Sequence, residues 1–171
     1  MKTVLVACHL TAILLAALAL WSMRHELTER AATLLEWAVA PALAVVVAAI
    51  LLIVSPGKRF ELWTVGIVAG LAIGLVMGTA LTAIKDFARG LVRVHRSWDG
   101  VSAAALLLLL TLARFVTSDL MDRPSGKFGV LGAAAAFVAA YLAGRFITLQ
   151  FYTAPKSIHL DMVRGERRRG D

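Results

Sequence analysis

Charge is scarce in this sequence, and cysteine is all but missing. Asp, Glu, Lys and Arg together make up 17% of the 171 residues, against 60% apolar types, and mean hydropathy is +0.79. That shortage excludes an ordinary soluble domain, because a chain this small has too much surface to hide so much apolar material. The single cysteine, Cys8, excludes an internal disulfide, and with no C-x-x-C pair there is no dithiol exchange. There are four histidines, His9, His25, His95 and His159, with no ligand spacing such as H-x-x-E-H. No nucleophile–base pair, metal motif or phosphate loop is visible, so an enzyme ranks last among the function classes and no cofactor is expected. The net charge of +7 does not mean nucleic acid, because Lys and Arg fall between apolar blocks and at the C-terminus, not on a soluble basic domain.

What the chain has instead is long apolar blocks at 4–21, 31–54, 62–84, 101–116 and 128–149. Blocks of that length read as membrane spans, and the third is uncharged over about 35 Å of helix. The expected fold is an all-α polytopic bundle of about five transmembrane helices over residues 1–152, followed by a basic cytoplasmic tail at 153–171. The first block is tested as a signal peptide, since Lys2 precedes it and Ala17-Leu18-Ala19 imitates a cleavage site. It is kept as a span because the charge count places the N-terminus outside. Pro41 predicts a kink within the second block.

Orientation follows from the basic residues. Lys2, Lys58, Arg59, Arg123 and Lys127 share one side; Arg24, Arg30, Lys85, Arg89, Arg93, Arg96, Lys156, Arg164, Arg167, Arg168 and Arg169 share the other. The richer side is cytoplasmic by the positive-inside rule, which gives an N-out, C-in membrane protein. Trp21, Trp37, Trp98 and Tyr152 then belong to the inner interface and Trp63 to the outer one.

Small residues recur every four positions in two blocks. Gly66, Gly70, Gly74 and Gly78 strip one face of the third span, and Gly132, Ala136, Ala140 and Gly144 mark the fifth. Lipid is as apolar as leucine, so helices associate through close backbone approach, and such stripes are packing surfaces before they are functional ones. The ionisable residues of the spans, Glu36, Glu61, Arg114 and Arg145, are candidate intramembrane contacts. Each is near enough to an interface to snorkel, and Glu36 and Arg145 enter from the same side, which predicts that they pair. The connector 85–100 is ambiguous. Phe87, Leu91, Val94 and Trp98 fit a basic amphipathic surface helix, whereas Leu91 to Arg96 alternates like a strand. Either form meets anionic headgroups.

Glu61-Leu62-Trp63-Thr64-Val65-Gly66, a basic connector, the leucine-rich run ending Leu112-Ala113-Arg114, and Gly144-Arg145-Phe146-Ile147-Thr148-Leu149-Gln150-Phe151 follow one another in order. That order resembles the CcdC-like bacterial membrane proteins, over a little more than half of the chain. The resemblance implies a five-span bundle, attention to Arg114 and Arg145, and a helper role in cytochrome c biogenesis. The small-residue helix faces motivate the expected function, a non-enzymatic accessory or assembly protein that associates with other membrane proteins or with itself. The competing expectation is a small carrier or binding protein for an anion, lipid or quinone, with Arg114 and Arg145 as contacts.

Overall fold

The computed structural model describes residues 2–28, 31–54, 60–81, 83–86, 91–120 and 129–151. Ten elements follow in order: α1 Lys2–Ser22, α2 Arg24–Thr28, β1 Ala32–Thr33, α3 Leu34–Val54, α4 Phe60–Ala80, β2 Ala83–Asp86, β3 Leu91–Val94, α5 Asp99–Phe115, a π-helical turn Val116–Leu120, and α6 Gly129–Phe151. Among the described residues five helices are long and apolar enough to cross a membrane. They form one bundle whose connections put the sheet, α2, the start of α5 and the end of α6 at one end, here the sheet end. Tyr152 and the tail lie outside the described residues.

A small sheet interrupts the all-α expectation. Its strand order is β1-β3-β2, both pairings antiparallel, with Val92 of β3 opposite both Ala32 and Lys85. Leu91–Val94 is thus a strand, and the alternation Leu-Val-Arg-Val, with Val92 and Val94 buried and Arg93 exposed, is the reason. The third span also stops at Ala80, short of 84, because Ala83–Asp86 is taken up by β2. Beneath the sheet, Ala32, Trp37, Val92, Val94 and Leu149 form a separate apolar cluster. Trp37 is buried in that cluster and its indole N–H donates to the Val92 carbonyl at 3.4 Å, so it anchors sheet to helix instead of facing headgroups. Trp21 and Trp98 stay exposed at this end, beneath Arg24 and Arg96 respectively, the cations lying 4.6 and 5.8 Å from the ring centroids.

The helices find their neighbours through small residues. On α1 the buried positions His9, Ala12, Ala16 and Ala19 fall three or four apart, a single stripe that Met23 continues just past the helix end. Helix α1 packs on α5 and on α3, whose buried Ala40, Ala44, Val47 and Leu51 repeat in the same way through Pro41. The centre of the bundle is α6, which touches α3, α4 and α5 and is buried on nearly every side. Its Ala and Gly content allows this, because several backbones can approach it at once.

The glycine face of α4 lies along α6. A Cβ at Gly66 would stand 2.7 Å from the Ala133 carbonyl oxygen; at Gly70 it would overlap the Phe137 carbonyl, and at Gly74 the Tyr141 carbonyl. From the other side, a Cβ at Gly144 would sit 2.6 Å from the Leu71 carbonyl oxygen, and one at Gly132 2.8 Å from the Trp63 ring. Thr148 closes the seam near Gly78, donating its hydroxyl across to the Leu75 carbonyl at 3.1 Å. Ala136 and Ala140, between Gly132 and Gly144 in the same row, are buried as well. Yet α4 rests almost wholly on α6 and lies at the edge of the bundle. Its remaining faces, with Val65, Val68 and Val76, are exposed, as a helix at a lipid boundary requires.

Candidate functional site

The four candidate ionisable residues of the spans do not converge. Glu61 is exposed in the first turn of α4. Arg114 is buried near the end of α5 away from the sheet, where His9 meets Phe115 edge-on with ring centroids 6.3 Å apart. Arg145 is buried near the opposite, sheet end of the bundle.

Glu36 is not the partner of Arg145. It is exposed, and it closes a reciprocal capping box at the start of α3. The Thr33 N–H donates to Glu36 Oε2 at 3.1 Å, and the Glu36 N–H donates to Thr33 Oγ1 at 3.2 Å. Two otherwise orphaned amides of the helix start are satisfied this way.

The partner of Arg145 is Glu26, on the short helix α2 that follows α1. Arg145 Nη1 donates to Glu26 Oε1 at 2.7 Å, and both side chains are at most 2% exposed. The second carboxylate oxygen accepts the Gly100 N–H at 3.2 Å. Gly100 is in the first turn of α5, whose N-cap, Trp98, provides no side-chain hydrogen bond. Glu26 thus caps a helix 74 residues further along the chain, and its negative charge lies at the positive end of that helix dipole. Ser97 completes the arrangement: its hydroxyl oxygen accepts the Asp99 N–H at 3.2 Å and Arg145 Nη2 at 3.4 Å.

Gly100 is required here by space. A Cβ on it would overlap the Arg145 guanidinium and stand 2.5 and 2.6 Å from the two Glu26 oxygens. No side chain fits between the α5 backbone and the ion pair. The site is electrically neutral, fully covered, and draws one residue or more from each of α2, α5 and α6. A buried guanidinium with a carboxylate at 2.7 Å presents no free charge to an anionic ligand. What the arrangement does is clasp three separate segments together.

Glu26 does not stand out in the sequence. It lies in the polar stretch 22–30 and reads there as a loop charge. The signal that finds it is the buried stripe of α1, whose three-and-four spacing continues past Met23 onto Glu26. Among the described residues no group of three or more His, Cys, Asp or Glu side chains comes together to hold a metal ion. No protein-family model, curated protein or solved structure matches the chain.

Proposed function

We propose that this chain is a non-enzymatic accessory or assembly protein of the bacterial cytoplasmic membrane that works by docking to other membrane proteins. One observation carries the reading: among the described residues α4 rests almost wholly on α6, and its outer residues Val65, Val68 and Val76 are exposed. Two further facts support it. Arg145 is balanced by Glu26, and Arg114 lies toward the other end, so the two arginines do not frame one anion pocket. The CcdC-like resemblance adds the context of cytochrome c biogenesis, in which a chain with one cysteine acts as a helper and not as a thiol relay.

The test is purification in mild detergent with identification of every co-purifying protein, lipid and chromophore. A protein recovered in fixed proportion with the parent, and lost with the Val68→Trp/Val76→Trp double variant, supports docking through α4. Lipid accommodates an added ring where a packed helix interface does not, so the bundle itself should melt as the parent does. Absence of any stoichiometric partner, or one indifferent to both substitutions, would count against the reading.

The proposed orientation puts the sheet end in the cytoplasm, on the eleven-to-five excess of Lys and Arg counted above. Reporter fusions after Lys58 and Lys127 should then read periplasmic, and fusions after Arg96 and Asp171 cytoplasmic. The reverse pattern would invert the protein.

A further inference from the structure

We infer that a lateral groove between α4 and α5, floored by α6, holds a membrane phospholipid bearing a primary ammonium headgroup. The inference does not depend on the docking role proposed above. The groove exists because α4 is drawn so closely onto α6, through Gly70 and Gly74, that it makes little contact with α5. The space left is about 300 Å³ and opens sideways, between Ile73 of α4 and Ala103 and Leu106 of α5, over Phe137, Val138 and Tyr141 of α6. That volume is at the lower end of small-molecule sites, about 300–1,000 Å³.

The lining is sorted by polarity along its length. Asp99, Ser102, Ala103 and Leu106 follow at spacings of three and one and three, so they share one face of α5 and run inward from its first residue. The polar members, Asp99 and Ser102, lie at the sheet end, and Tyr141 is the lining residue of α6 nearest that end. Ile73, Leu106, Phe137 and Val138 line the rest. From Asp99 to Leu106 the helix advances about 10 Å, from the rim of the span into its apolar part. A headgroup belongs at one end of this groove and an acyl chain at the other. The medium bathing the side of a membrane bundle supplies both.

Charge selects the headgroup. Among the residues that line the groove Asp99 alone is charged, and it is exposed at the polar end. A carboxylate, a serine oxygen and a phenol oxygen offer three acceptors, which is the number of protons a primary ammonium can donate. The quaternary ammonium of a choline lipid donates none, and a glycerol lipid carries a net negative charge that Asp99 repels.

The test uses the purified full chain in detergent micelles doped with equal amounts of dioleoyl phosphatidylethanolamine, phosphatidylcholine and phosphatidylglycerol, with bound lipid read by native mass spectrometry. The parent should retain the ethanolamine lipid about tenfold over the other two, the discrimination one charged hydrogen bond supplies. Asp99→Asn keeps the groove and should bring the three lipids to near parity. Leu106→Trp, at an exposed lining position, fills the groove and should abolish retention of all three. Melting temperature verifies that each variant is folded, and if Leu106→Trp is not, Asp99→Asn decides alone. A parent without ethanolamine preference, a preference that survives Asp99→Asn, or lipid retained by folded Leu106→Trp would each overturn the assignment.

Discussion

Arg145→Gln should lose about 3–5 kcal/mol of stability, the largest effect expected of any single substitution in this chain. The reason is what stays behind. Glu26 is 1% exposed, and without the guanidinium its carboxylate would lie buried against the Gly100 amide with no cation near it. Glu26→Gln should also be costly, by leaving the guanidinium uncompensated, although the Gln oxygen can still accept from Gly100. The double variant Glu26→Gln/Arg145→Gln should lose much less than the sum of the two, because two neutral amides replace two stranded charges. Unfolding of the purified protein by graded denaturing detergent measures all three. Additive losses would show that the pair contributes nothing as a pair. Glu36→Gln is the internal control. Gln serves in a capping box as Glu does, so stability should be nearly unchanged and no coupling to Arg145→Gln should appear.

Gly74→Leu should separate α4 from α6, at a loss of at least about 1–3 kcal/mol from overpacking alone. The obstruction is backbone: even the first carbon of a side chain would overlap the Tyr141 carbonyl, and a carbonyl in a helix interior cannot rotate away as a side chain tip can. Gly70→Leu meets the Phe137 carbonyl in the same way. The Thr148 hydroxyl bond to Leu75 breaks with the seam. Val76→Leu, on the exposed face of the same helix, should leave the melting temperature where it is. If Gly74→Leu melts like the parent, the packing of α4 on α6 is not as described.

The spans were legible because the bilayer imposes its own thickness on any helix that crosses it, about 20 apolar residues, and that length is visible in any window of the sequence. The glycine stripe was legible for a related reason: helices touching in lipid need small residues where they touch. Position within the bundle was not. A helix on the edge and a helix in the centre are equally apolar when the solvent is hydrocarbon, so apolarity alone does not show that α4 is peripheral and α6 central. The distinction was present in side-chain size. Large residues such as Leu62, Val65, Ile67 and Val68 cover the outside of α4, whereas α6 carries Ala or Gly almost all the way round.

The candidate site was legible only by half. Arg145 is visible in the sequence as a cation within a span, and matching depth on another span points to Glu36. That depth counts the second helix from residue 31. Thr33-Leu34-Leu35-Glu36 is a T-x-x-E signature that starts the helix at Leu34 and puts Glu36 in its first turn, at the surface. Glu26, three residues after Met23, sits in a polar connector, and no local rule says that α5 and α6 will fold over it. Its burial is a tertiary fact, set by elements that begin at Asp99 and Gly129.

The same separation imposes a timetable on synthesis. Glu26 and Arg145 are 119 residues apart, and Gly100 is 74 beyond Glu26. At about 5–20 residues per second, a ribosome takes roughly 6–24 s to pass from the acid to its base. For all that interval the first span can be in the bilayer while Glu26 waits at its rim, charged and hydrated. Only when α6 enters is there a cation able to draw that carboxylate under cover. Helix α6 thus completes the clasp, and a chain cut short before Arg145 keeps its acid in water and its sheet end open.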